Sequence, residues 1–220
     1  MEEINLKELW QATNQKLEKS LSISKKQTED LSQLKVQNFL SSMKPIKLFT
    51  ILIGLIWTSI VGTVVVNLFL FAYHQVNLFF LFSAAIQVTL TAFGLIVYLY
   101  QIITIYQVDL TQSILKTQEQ LAQLRTSTLW VTRILFLQLP VWTTFYWNQR
   151  MFENGHWTLW FIQGLVTLLF TYAAIWLFIN IRLENKDKKW FGLIFDGKEW
   201  TPLMQSIELL EQIEEYKNEK

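Results

Sequence analysis

The sequence predicts an all-α integral membrane protein with four transmembrane helices arranged as two antiparallel hairpins. Three observations support this fold class. Long apolar stretches lack Asp, Glu, Lys and Arg almost entirely, the connections within each pair of stretches are short, and the basic residues lie almost entirely outside them. Amphipathic helices at the N-terminus, the centre and the C-terminus are predicted to lie on the cytoplasmic side.

The composition agrees with a membrane protein and excludes several classes of function. Apolar residues make up 51% of the chain, with ten Trp and sixteen Phe, which is unusual for a soluble protein. The net charge of +1 gives no electrostatic argument for nucleic-acid binding. Because the chain has no cysteine, disulfides, thiolate nucleophiles and Cys-ligated metals are excluded. The apolar composition predicts the lipid bilayer as a partner.

Residues 1–45 are predicted to form a cytoplasmic amphipathic helical segment. Apolar residues return at helical spacing in its first half, at Leu6, Trp10 and Leu17. The polar composition of residues 20–30 predicts a break or weak point, so a continuous coiled coil is the less favoured interpretation. Pro45 disfavours helix at the residue before it, which predicts a joint just before the membrane. The segment either lies on the lipid surface or docks on a partner protein, and both interpretations stay open.

Residues 46–108 are predicted to form the first transmembrane hairpin. Its arms, residues 48–73 and 78–108, contain no Asp, Glu, Lys or Arg. The first arm is long enough as a helix, at ~39 Å, to cross a hydrocarbon core of ~30 Å. A connection of a few residues forces the two arms to run antiparallel and adjacent.

Residues 109–128 are predicted to form a cytoplasmic helix, and residues 129–181 the second transmembrane hairpin. Its spans are residues 129–147 and 157–181, and Pro140 is expected to kink the first of them. The motif EQLAQLR at residues 119–125 resembles EDLSQLK at residues 29–35. This weak similarity raises a hypothesis of duplication, with chance similarity between amphipathic helices as the favoured explanation.

Residues 182–220 are predicted to form a cytoplasmic tail. The Asp196–Gly197 pair between apolar runs predicts a short β-hairpin within residues 190–200. Thr201 and Pro202 then indicate the start of an acidic amphipathic helix. We expect its apolar face to pack either on the chain's own N-terminal helix or on a partner. That face contains Leu203, Ile207 and Leu210.

No pattern indicates an enzyme. The predicted spans contain no Asp, Glu, His, Lys or Cys, and Arg133 lies near the end of one span. We therefore predict no catalytic, cofactor-binding or metal-binding residue. Small and polar residues that recur on one side of a span predict helix–helix contacts instead. They are Gly54, Thr58 and Gly62 in the first span, Ser83, Gln87 and Thr91 in the second, and Gly164, Thr167 and Thr171 in the fourth.

The distribution of basic residues predicts the topology. Seventeen of the nineteen Lys and Arg lie before the first predicted span, in the central segment or after the last span. Only Arg150 lies in a loop on the other side. By the positive-inside bias, both termini are predicted to be cytoplasmic.

This layout resembles that of small four-span bacterial inner-membrane proteins that carry no assigned function, and loosely that of membrane-bound regulators that hold a cytoplasmic partner. The resemblance is one of layout over the whole chain, it carries no diagnostic motif, and it implies the bacterial inner membrane. We expect a non-enzymatic regulatory or scaffolding anchor that binds a cytoplasmic protein or a second copy of itself and no nucleic acid. The alternative is an oligomeric small transporter or channel subunit. The predicted partner-binding residues are Leu6, Trp10, Leu17, Leu203, Ile207 and Leu210.

Overall fold

The computed structural model describes residues 2–108, 114–149, 157–197 and 199–218, and the regular elements in these ranges are all helices. Turns and one short 3₁₀ helix, Leu183–Asn185, connect the α-helices. The α-helices are α1 (Glu2–Phe71), α2 (Leu78–Gln107), α3 (Ile114–Phe136), α4 (Leu139–Thr144), α5 (Trp157–Asn180), α6 (Lys189–Phe195) and α7 (Trp200–Asn218). The all-α prediction is confirmed for these residues.

Three of the described helices are long and apolar enough to cross a membrane. They are the Asp30–Phe71 part of α1, all of α2 and all of α5. The stretch predicted as the third span, residues 129–147, is divided between α3 and α4. The chain leaves α3 through a turn at residues 137 and 138, and Pro140 lies in the first turn of α4. The interruption expected from this proline is therefore present, because its ring nitrogen cannot donate a hydrogen bond to the preceding turn.

Helix α1 is one unbroken helix, so two expectations for it are wrong. Neither the polar stretch of residues 20–30 nor Pro45 ends the helix. Val36, Leu40 and Met43, before the proline, are buried on one face of α1, and Lys47 continues that face after it. Packing thus holds the helix on both sides of Pro45. The ring of Pro45 is on the exposed side of α1, where the loss of one backbone hydrogen bond costs the least free energy.

The β-hairpin predicted within residues 190–200 is also wrong, because this stretch forms α6 and the turn that leads into α7. Phe191 and Phe195 are one helical turn apart, and both are buried. Their rings stack on each other at 4.4 Å and contact Trp200. Helical spacing brings all three rings into one cluster, and the Asp196–Gly197 pair turns the chain between two helices instead of two strands.

A closed helical bundle lies at one end of the candidate spans. Parts of α1, α2, α3 and α7 share its core, and α7 packs on both α1 and α3. The buried side chains of this core are Val36, Leu40, Met43, Ile105, Leu121, Leu124, Leu203, Ile207 and Leu210. We call this group the bundle core. Asp109, the first residue of the predicted central helix, lies outside the described residues.

Candidate functional site

The N-terminal part of α1 extends beyond the bundle core, and we call its residues 2–34 the arm. Every described side chain from Trp10 to Leu31 is exposed. Trp10 is 67% exposed and Leu17 58%, so the apolar stripe predicted here is not covered by the chain itself. The side chain of Leu6 lies outside the described part of the arm. A helix of this length reaches ~50 Å past the bundle core.

The apolar face of α7 is buried, whereas that of the arm is exposed. Leu203, Ile207 and Leu210 are buried in the bundle core against α1 and α3. Of the two coverings expected for this face, the structure shows the chain's own N-terminal helix. These three side chains are thus not accessible to a partner in this conformation, and their predicted partner-binding role would require α7 to leave the bundle.

A buried polar cluster lies where the bundle core meets the candidate spans. Lys47 is fully buried, and its Nζ donates to Gln101 Oε1 at 2.7 Å and to Glu199 Oε2 at 2.9 Å. The ammonium group also lies 4.5 Å from the centre of the Tyr98 ring. Gln101 Nε2 in turn donates to Ser127 Oγ and Thr128 Oγ1, at 3.1 and 3.3 Å. The cluster therefore joins α1, α2, α3 and the segment before α7.

The polar contacts of this cluster satisfy a charge that is costly to bury alone. A buried ammonium group needs an anion and further acceptors, and Glu199, Gln101 and the Tyr98 ring supply them. The Glu199 side chain is 23% exposed, so the carboxylate keeps some contact with solvent. A cleft of about 250 Å³ opens beside it, between Thr128 and Thr132 of α3 and the residues that lead into α7.

The predicted helix-packing residues of α1 and α2 lie on contact faces, to different degrees. A Cβ added to Gly54 would meet Leu95 Cδ2 at 2.4 Å, whereas one added to Gly62 would find Val88 Cγ1 at 3.5 Å. Gly54 thus makes the closer contact of the two, and an added Cβ there requires the Leu95 side chain to move. The hydroxyl of Thr58 is buried and has no hydrogen-bond partner among the described residues.

The polar residues of α2 face α4. Ser83 Oγ lies 2.9 Å from Thr144 Oγ1, and Thr91 Oγ1 accepts a long hydrogen bond of 3.4 Å from Gln138 Nε2. Gln87 lies between these two contacts in the sequence and is buried. Its Nε2 has no hydrogen-bond partner in the part of the chain that the structure describes.

On α5, the polar side chains contact α4 and the glycine does not contact a neighbour. Gln163 Nε2 donates to the Thr143 carbonyl at 2.7 Å, and Trp147 Nε1 donates to Thr167 Oγ1 at 3.2 Å. Thr171 Oγ1 donates to the Thr167 carbonyl of its own helix. A Cβ added to Gly164 would find nothing within 4 Å. The Gln163 amide makes the shortest of these contacts between helices.

No group of three or more His, Cys, Asp and Glu side chains within the described ranges is placed to hold a metal ion. His74 lies exposed in the loop between α1 and α2. His156 lies outside the described residues. Comparison with protein-family models, curated proteins and solved structures finds no match. The arm and the Lys47 cluster must therefore be interpreted from their own chemistry.

Sequence reasoning missed the Lys47 cluster, because it counted this lysine as one of the charges that flank the first span. One signal was present. Met43, Lys47 and Ile51 follow one another at four-residue spacing, which places the lysine on the apolar face of the helix. A basic residue in that position needs a buried partner. The distant Glu199 could not be identified as that partner, because 152 residues separate the two.

Proposed function

We propose that the protein is a non-enzymatic multi-pass membrane protein that serves as a regulatory or scaffolding anchor and engages a protein on the cytoplasmic side through the arm. The observation that carries this proposal is the apolar stripe of Trp10 and Leu17, exposed on a helix that continues without a break into a candidate span. An exposed apolar stripe on an amphipathic helix is typical of a binding surface.

The continuity of α1 argues against the lipid surface as the binding site of the arm. An amphipathic helix that binds lipid lies in the plane of the membrane, with its apolar side in the headgroup region. The arm and the candidate span belong to the same helix, and Pro45 does not end it. If the span crosses the bilayer, the arm extends away from it. Protein is then the remaining class of partner for the stripe.

The same proposal includes four crossings, in two antiparallel hairpins, with both termini cytoplasmic in the bacterial inner membrane. The C-terminal part of α3 together with α4 would make the third crossing, because residues 129–147 as a helix reach ~28 Å. Its polar side chains bond to Ser83 of α2 and Thr167 of α5, the helices that would flank it. The concentration of basic residues outside the predicted spans supports the orientation.

Thiol labelling tests this topology, because the natural chain has no cysteine. Gln75 is exposed in the loop between α1 and α2, and Ala12 is exposed on the arm. We expect Gln75→Cys to react with a membrane-impermeant maleimide in spheroplasts, and Ala12→Cys to react only after the membrane is permeabilised. Labelling of Ala12→Cys in sealed spheroplasts would show that the proposed orientation is inverted.

Copurification tests the function itself. The full chain would be purified in mild detergent as wild type, as a Trp10→Ser/Leu17→Ser variant, and as a Gln11→Ser/Glu18→Ser control. The control changes the next residue in each case and so leaves the stripe intact. We expect the first variant alone to lose a specific protein or a second copy, with an unchanged thermal midpoint, because exposed substitutions shift stability by about 0.5 kcal/mol or less. If both variants keep every partner, the proposal is wrong.

One observation favours the second candidate, an oligomeric transporter or channel subunit. The buried Gln87 amide, with its unpartnered Nε2, lies within a polar row on α2 that faces α4. A permeation path for ions or solutes requires polar side chains between the spans. If the protein is a transporter or channel subunit, Gln87→Leu changes the solute flux into proteoliposomes. If it is an anchor, proteoliposomes with the wild type or with Gln87→Leu both show only the flux of empty liposomes.

A further inference from the structure

We propose that the protein engaged by the arm is a second copy of this chain, paired with it as a parallel, in-register coiled coil. This inference rests on the proposed function, since it names the partner of the same surface. Four observations on the arm carry it: the spacing of its apolar side chains, the direction in which they face, the common orientation of two copies in one membrane, and one pair of complementary charges.

The apolar side chains of the arm follow a seven-residue repeat. With Trp10 assigned to position a, positions a also fall on Leu17, Ser24 and Leu31. Six large apolar side chains of the arm are exposed: Trp10, Leu17, Leu21, Ile23, Leu31 and Leu34. All six occupy positions a, d, e or g, which form or flank the seam of a coiled coil. Over residues 10–34, positions b, c and f contain only Gln, Glu, Lys, Ser and Ala.

This seam points away from the chain's own bundle. Continued along α1, the repeat places Val36 and Met43 at position f and Leu40 at position c. These three side chains belong to the bundle core. At the level of the bundle core, the buried side chains of α1 therefore lie opposite to the seam. At the base of the arm, Asp30 and Leu34 line a cleft of about 470 Å³ together with Ile105 and Tyr106 of α2. Beyond this cleft, two arms can pair without either bundle lying between them.

Two copies in one membrane present their arms in the same direction. If both chains insert with the same orientation, α1 leaves the membrane at the same depth in each, so the arms are parallel and in register. In that arrangement, position g of one helix meets position e of the next heptad on the other. Asp30 is at g and Lys35 at e. The two helices therefore form two symmetric contacts, and each joins Asp30 of one copy to Lys35 of the other. Both are described residues near the base of the arm.

The middle of the seam is polar, which makes the pairing weak for a soluble peptide. Ser20, Ser24 and Gln27 occupy consecutive d, a and d positions. Polar residues at such positions specify register at a cost in stability. Membrane confinement offsets this cost, because two anchored arms meet at a high effective concentration.

The polar middle also supplies a matched set of cysteine positions in a chain without native cysteine. Ser20 lies at d, Ser22 at f and Ser24 at a, and all three are exposed within about one helical turn. Facing d and a positions approach within the ~6 Å that a disulfide spans between Cα atoms, whereas f positions lie on the far sides of the pair. Full-length single variants would be oxidised in membranes with copper phenanthroline and separated by non-reducing electrophoresis.

We expect disulfide dimers from Ser20→Cys and Ser24→Cys and only background from Ser22→Cys. Equal dimer from all three variants would indicate random collision and overturn the pairing, as would the absence of dimer from Ser24→Cys. If Ser24→Cys stays monomeric while Trp10→Ser/Leu17→Ser still loses a different protein, the second copy is the wrong partner and the proposed function stands. If neither effect is seen, both are wrong.

Charge reversal tests the register independently. In the Ser24→Cys background, Asp30→Lys places a lysine opposite Lys35 of the other copy in both symmetric contacts. We expect this repulsion to decrease the dimer band. Asp30→Lys/Lys35→Asp restores opposite charges and should restore the band. Recovery in the double variant supports parallel, in-register pairing. A band that is the same in all three chains, or is lost from both charge variants, contradicts it.

Discussion

The ion pair between Lys47 and Glu199 gives the sharpest test of how the tail is fixed to the spans. Glu199→Gln removes the only carboxylate that contacts the buried ammonium group within the described residues, and it keeps the shape of the side chain. Lys47→Met is the reciprocal change, which removes the buried charge itself. The two substitutions break the same contact from opposite sides, and the structure predicts unequal costs.

Removing one partner of a buried ion pair costs ~3–5 kcal/mol when the other charge stays uncompensated. Lys47 keeps Gln101 and the Tyr98 ring, and Glu199 is partly hydrated, so we place Glu199→Gln at about 2 kcal/mol. Lys47→Met leaves a carboxylate that water can reach, and it should cost no more than about 1 kcal/mol. In the double variant, no charge is left buried, so its stability should equal that of Lys47→Met.

Thermal unfolding in detergent measures these differences. For a chain of this length, 1 kcal/mol corresponds to about 2–4 °C. We therefore expect Glu199→Gln to lower the thermal midpoint by about 4–8 °C, and Lys47→Met to restore part of that loss when it is combined with Glu199→Gln. Glu208→Gln, on the exposed side of α7, is the matched control. A Glu199→Gln midpoint equal to that of the control would refute the buried ion pair.

Two further substitutions test the packing of the helices. Gly54→Ala should lower the thermal midpoint, because its Cβ would clash with Leu95 Cδ2 and overpacking costs ~1–3 kcal/mol. Gly164→Ala is the control, because it has open space around it and should leave the midpoint unchanged. Equal midpoints for the two variants would show that Leu95 moves aside freely. Leu203→Ala should cost ~2–5 kcal/mol as a cavity in the bundle core, and the exposed Leu17→Ala about 0.5 kcal/mol or less. A Leu203→Ala midpoint like that of wild type would contradict the closed bundle.

Hydropathy and helical periodicity were enough to predict the long helices, because both follow from residues close together in sequence. The expected arms of the first hairpin differ by two residues or fewer from the ends of α1 and α2 at the loop that joins them. Local signals failed where contacts over long distances decide the conformation. Pro45 does not end α1, since both sides of it pack, and the turn-forming Asp196–Gly197 pair joins helices, since Phe191 and Phe195 are buried together at helical spacing.

The two similar motifs show the same limit for the candidate site. Leu121 and Leu124 of EQLAQLR are fully buried in the bundle core, whereas Leu31 and Leu34 of EDLSQLK are more than half exposed. The two motifs share the pattern E-x-L-x-Q-L followed by a basic residue, so this local pattern does not distinguish the leucines. Their different surroundings depend on α7, which packs on α3 and on the part of α1 that follows the arm. The sequence predicted three apolar surfaces, and only the folded chain shows which of them stays open.

The central claim is that the open stripe of the arm is the surface that binds protein. A photo-crosslinking amino acid placed at Leu17, on the stripe, and at Gln15, on the opposite side, tests it most directly in intact cells. We predict one discrete adduct from Leu17, whether with a second copy or with another protein, and none from Gln15. Equal adducts from both positions, or none from Leu17 in the folded protein, would contradict the claim.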